Sequence, residues 1–135
     1  MFRLLTSLLS LIWLAACGAS STNAPPPPLE LEVEGSLGAG ASTVVKGEAM
    51  EVKFVEVSED SRCPSDATCV WAGEVKVKLA TRLGTDPPVE REVLEGRSMI
   101  LEPYRLTVTR VLPDPVSTKK IAPGDYRIML VVVKI

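Results

Sequence analysis

From residue 29 onward, apolar and polar positions alternate in short bursts separated by glycine and proline. Residues 29–34, Leu-Glu-Leu-Glu-Val-Glu, alternate with period two, which predicts a strand with one dry face and one acidic face. Gly35, Gly38 and Gly40 then break the pattern, and residues 43–45 are predicted as a short strand before Gly47. Met50, Val52 and Phe54 share one parity, but Val55 and Val57 continue on the other. One extra residue near Phe54 and Val55, a β-bulge, accounts for the slip. Val75, Val77 and Leu79 alternate with Glu74, Lys76 and Lys78 in the clearest half-buried strand of the chain, which runs to Leu83. After a turn at residues 83–88, residues 89–95 are read as a strand pairing back. The alternative is a short helix capped by Asp86, with Pro87 at its first position and Gly96 at its end. Tyr104, Leu106 and Val108 form another inward face, ended by Pro113-Asp114-Pro115. Residues 126–135 close the chain, and their apolar run at residues 130–133 predicts a central strand covered on both sides.

Seven or eight short strands with no amphipathic helix predict an all-β sandwich, a small closed barrel being the alternative. The run Ile121-Ala122-Pro123-Gly124-Asp125-Tyr126 resembles the turn-plus-tyrosine entry of immunoglobulin-like folds. That resemblance implies an immunoglobulin-like sandwich, a type II turn at Pro123-Gly124, and a Tyr126 hydroxyl bonding back across the corner.

The first residues read as an address. In residues 1–16, Arg3 precedes a mostly apolar stretch from Leu4 to Trp13, which is too short to span a bilayer comfortably. Leu14-Ala15-Ala16-Cys17 resembles the lipobox of bacterial lipoproteins, which implies cleavage before Cys17 and a lipid on that cysteine. Gly18 stands where an aspartate would favour retention at the inner membrane, so the same resemblance implies the outer membrane in a Gram-negative cell. Residues 18–28 pass from small polar residues into four prolines, Pro25 to Pro28. They are expected to form a tether that packs against nothing, its second half an extended polyproline rod. The expected organisation is a signal peptide at 1–16, lipidated Cys17 plus tether at 17–28, and a sandwich domain at 29–135.

Charge narrows the function classes. With 15 basic and 17 acidic residues, the chain has no basic excess of the kind nucleic-acid binding requires. It contains no histidine, which removes Ser-His and Cys-His pairs and imidazole metal ligands. Its carboxylates mostly fall at solvent-facing strand positions, and none is marked out by its neighbours. No enzyme and no cofactor are expected.

Residues 60–73, Asp-Ser-Arg-Cys-Pro-Ser-Asp-Ala-Thr-Cys-Val-Trp-Ala-Gly, hold the remaining chemistry. With Cys17 lipidated, Cys63 and Cys69 form an even pair in an oxidising compartment and are expected to be disulfide-bonded. The spacing is not C-x-x-C, and two thiolates without histidine make a poor zinc site. The pattern D-S-R-C-P-x4-C-x-W-x-G resembles a signature of small uncharacterised bacterial lipoproteins; the resemblance implies a family and no mechanism. Asp60, Arg62, Asp66 and Trp71 are the candidate binding residues of this loop. On the structural reading, Asp60 satisfies the turn, Arg62 pairs with Asp66 or Asp60, and Trp71 packs over the disulfide. On the functional reading, Trp71 is an exposed contact and Glu56, Glu59, Asp60 and Asp66 offer oxygen ligands to calcium. The whole is expected to be a lipid-anchored module of the bacterial cell envelope with a structural role or an envelope protein as partner. The alternatives are an ion- or small-ligand-binding protein using this loop, or an inhibitor of an exported hydrolase.

Overall fold

The computed structural model describes residues 24–135, so the expected signal peptide, Cys17 and the first half of the expected tether lie outside the described residues. Eight strands form two antiparallel four-stranded sheets, the sandwich expected rather than a closed barrel. One sheet has the order β2 (Ser42–Val44), β3 (Met50–Asp60), β4 (Val75–Leu83), β5 (Val89–Leu94). The other has the order β1 (Gly35–Gly38), β8 (Arg127–Lys134), β7 (Tyr104–Leu112), β6 (Ser98–Leu101). Residues 89–95 therefore supply a strand and not the alternative helix, pairing Thr81 with Val89 through Lys76 with Leu94.

The period-two pattern places the core. Met50, Val52 and Phe54 of β3 and Val75, Val77 and Leu79 of β4 face Leu106, Val108 and Val111 of β7 and Ile128, Leu130 and Val132 of β8, all buried. The parity slip after Phe54 is a bulge, since Phe54 pairs with Leu79 but Glu56 with Lys78. A second bulge follows between Val57 and Glu59, and a third between Val108 and Arg110 moves the buried parity of β7 to Val111. On the solvent face of β3 and β4, Glu56 pairs with Lys78 and Glu59 with Lys76, each at 2.9 Å, and Glu51 pairs with Arg82. Such exposed pairs fix register more than they add stability, at about 0–1 kcal/mol each.

The sandwich departs from expectation at its start. Residues 29–34 do not form one strand. Leu29 bridges Val45, just past β2 of the first sheet, and Leu31 bridges Val132 of the second, both in parallel, so the chain crosses between sheets at Glu30. Glu32 then takes φ +62° and turns the chain into β1. The alternation is real, but Leu29 and Leu31 serve different sheets. Gly35 and Gly38, two of the three glycines that break the pattern, belong to β1, and a Cβ at Gly35 would lie 2.3 Å from the Leu29 side chain, which would have to shift to admit it. The end of the tether also docks, because the Pro27 carbonyl accepts a hydrogen bond from Thr43 Oγ1 at 2.9 Å.

Candidate functional site

β3 ends at Asp60 and β4 begins at Val75, so the cysteine loop caps one pole of the sandwich. Its base continues the hairpin: Ser61 N donates to Glu74 O at 2.8 Å and Cys63 N to Ala72 O at 2.9 Å. Gly73 closes the base with φ +69°, and a Cβ there would lie 1.8 Å from the Ser61 carbonyl oxygen, so no other residue fits without moving the backbone. Cys63 and Cys69 are disulfide-bonded, with their Cα atoms 5.8 Å apart. The loop closed is short, so the bond contributes about 2 kcal/mol by the chain-entropy argument. The Cys63→Ser, Cys69→Ser double variant is accordingly expected to lower the melting temperature by roughly 8–16 °C, on about 4–8 °C per kcal/mol, measured by circular dichroism.

Asp60 and Arg62 form the inner weld. The Arg62 guanidinium meets both Asp60 oxygens, Nε to Oδ1 at 2.8 Å and Nη2 to Oδ2 at 2.7 Å. Both side chains are largely buried, at 11% and 13% exposure. Arg62 also donates to the Val111 and Pro113 carbonyls at 2.8 and 3.1 Å, which ties the loop to the end of β7. The Val111 amide donates in turn to Glu95 at 2.6 Å. The remaining Asp60 lone pairs accept the Tyr126 hydroxyl at 2.9 Å. Tyr126 thus bonds a carboxylate on the opposite sheet instead of returning across its own corner, and Pro123–Asp125 is a 3-10 turn, not a type II turn, closed by Asp125 N to Ala122 O.

The electrostatics follow from this contact. Burial alone would raise the Asp60 carboxyl, but hydrogen bonds from Arg62 and Tyr126 outweigh it and hold the group below its ordinary range. The same pairing with Asp60 raises Arg62. Burial, then the Asp60 hydrogen bond, push Tyr126 up to about 12. A raised folded value means that this contribution to stability is complete below pH 10 and is lost as pH rises from there through about 12. The expected result is an alkaline loss of stability in that window which Tyr126→Phe flattens, read from denaturant midpoints across pH.

The other candidates separate. Asp66 does not reach Arg62; it accepts the Ser117 amide and hydroxyl at 2.8 and 2.6 Å, while Ser65 N donates to Pro115 O. The loop is therefore also fastened to residues 115–117. The four acids read as calcium ligands are committed elsewhere: Glu56 to Lys78, Glu59 to Lys76, Asp60 to Arg62 and Asp66 to Ser117. No group of three acidic or cysteine side chains among the described residues stands close enough to hold a metal ion. Trp71 does not cover the disulfide. It is 81% exposed and its neighbour Val70 is 92% exposed. Beside the loop, an open cleft of about 480 Å³ is lined by Arg62, Glu74, Leu94, Glu95, Arg97 and Asp114 among others.

Of the four residues picked from the sequence, Asp60 and Arg62 come together, Asp66 holds a different segment and Trp71 stands clear. Glu95, Ser117 and Tyr126 complete the site from 16 to 66 positions away from their partners, a separation that no local pattern reveals. No family model, curated protein or solved structure matches this chain.

Proposed function

We propose that the protein is a non-catalytic, lipid-anchored module of the bacterial cell envelope. It is held by acyl chains on Cys17 and acts through the cysteine loop as its contact surface. The observation that carries the reading is the division of labour within the loop. Asp60, Ser61, Arg62, Cys63, Asp66 and Cys69 all bond within the protein. Val70 and Trp71 are instead left almost wholly exposed. Two large apolar residues on a covalently braced loop have the makings of a contact, since exposed apolar surface is costly unless something covers it. The anchor reading rests on residues 1–17, whose apolar run, small residues and cysteine agree. Stable attachment by acyl chains needs more than one of them.

The experiment is fractionation of cells expressing the chain with and without Cys17→Ser, and with globomycin, which blocks lipoprotein signal cleavage. The expected result is a membrane-bound mature form that globomycin converts to precursor. Unchanged processing under globomycin would reject the anchor. The cleft beside the loop favours small-ligand binding as a second reading. A melting shift with an added ligand would support it.

A further inference from the structure

We infer that the Val70–Trp71 tip of the cysteine loop seats in the interfacial zone of the lipid bilayer to which the chain is anchored, an inference that rests on the anchor reading. The first observation is the direction of the tether. Leu29 N donates to Val44 O and Lys46 N to Leu29 O, the pattern of parallel pairing, and Pro27 lies against Thr43. β2 runs away from the cysteine-loop pole, because it is antiparallel to β3. The tether runs the same way, so followed back from Pro27 it heads toward the loop.

The second observation is length. Thr43 pairs with Val52, and the two bulges of β3 leave six steps on the partner strand, Thr81 to Val75, between that level and Asp60, about 20 Å at ~3.3 Å per residue. Between Pro27 and Cys17 there are ten steps, a contour of at most about 33–36 Å. That length is enough for the anchor to lie at the level of the loop.

The third observation is the chemistry of that pole. Trp71 and Val70 stand out at 81% and 92% exposure, and tryptophan is the side chain most at home at the headgroup boundary. Asp66, four residues before Val70, holds Ser117, and the segment just beyond carries Lys119 and Lys120. Neither lysine has an acidic partner among the described residues. Val116, partly exposed, bridges Lys119. An apolar tip beside unpaired lysines matches an interface of apolar chains beneath phosphates. The tip adds a second attachment, which orients the domain, whereas the acyl chains alone leave it free to swing.

The test uses the lipid-carrying protein isolated from membranes, in which cleavage before Cys17 removes Trp13 and leaves Trp71 as the one indole. It is reconstituted in vesicles of phosphatidylethanolamine and phosphatidylglycerol, with and without brominated phosphatidylcholine. Flotation reads the anchor and Trp71 emission reads the tip. The expected result is flotation, a shift of emission to shorter wavelength, and quenching by bromine placed near the headgroups. Val70→Asp, a surface change that leaves the fold intact, is expected to float equally and lose the quenching. Flotation with water-like, unquenched Trp71 emission overturns the inference while sparing the anchor, and leaves an envelope protein as the occupant of the loop. A chain that neither floats nor changes its emission removes both.

Discussion

Phe54→Ala is expected to destabilise the domain by about 3–5 kcal/mol, the range for emptying a buried aromatic site. Phe54 is fully buried and leads the closed side chains of the core by volume. Its backbone is pinned on both sides, its amide donating to Ala41 O and its carbonyl accepting from Gly40 N, so the strand cannot slide in to fill the void. It also sits at the bulge where β3 changes parity, where Val55 is only partly buried and no neighbour on its own strand can take its place. The loss is a large part of the roughly 5–15 kcal/mol available to a domain of this size. Urea titration measures it, and a midpoint nearly unchanged at constant slope would show that the inter-sheet core is organised differently.

Arg62→Ala is expected to cost about 2–4 kcal/mol, because it strands an inward carboxylate and two carbonyls at once. Asp60 keeps the Tyr126 hydroxyl and the longer 3.3 Å bond from the backbone amide of residue 62, while the Val111 and Pro113 carbonyls lose the Arg62 donor. Lysine does not rescue the site, since a single ammonium cannot meet both carboxylate oxygens and both carbonyls in one plane. A double-mutant cycle with Asp60→Asn isolates the pair, and the coupling should be well above that of an exposed salt bridge. The same contact sets the acid limit. Asp60 has its folded value depressed, so the stability it provides is present above its unfolded value near 3.8 and is lost as pH falls through the folded one. Arg62→Ala therefore also weakens the acid dependence.

Much of the sandwich was readable because period two is a strong signal where one face is dry. The alternation from Val75 to Leu79 is β4, and the slip after Phe54 is the bulge. The pattern fails where two sheets share a segment. Leu29 and Leu31 look like one face of one strand but insert into opposite layers, and nothing local marks the positive φ at Glu32 that turns the chain. β6, at Ser98–Leu101, is too short for its alternation to stand out. In the loop, cysteine spacing and compartment foretold the disulfide, and the short range between Asp60 and Arg62 made their pair foreseeable. Trp71 stands outward instead, while Arg62, nine residues away, reaches across to β7 and Tyr126 reaches Asp60, and those partners lie 49 and 66 positions from Arg62 and Asp60, beyond any local pattern.

The central claim is that the cysteine loop is held from within by the Asp60–Arg62–Tyr126 weld and turns its indole outward. Collisional quenching of Trp71 by iodide tests it most directly, in the Trp13→Phe, Cys17→Ser chain without vesicles. The expected result is emission at the wavelength of indole in water, with quenching close to that of a free tryptophan. Emission at shorter wavelength, with Trp71 shielded from iodide, would place the ring against the protein and contradict the claim.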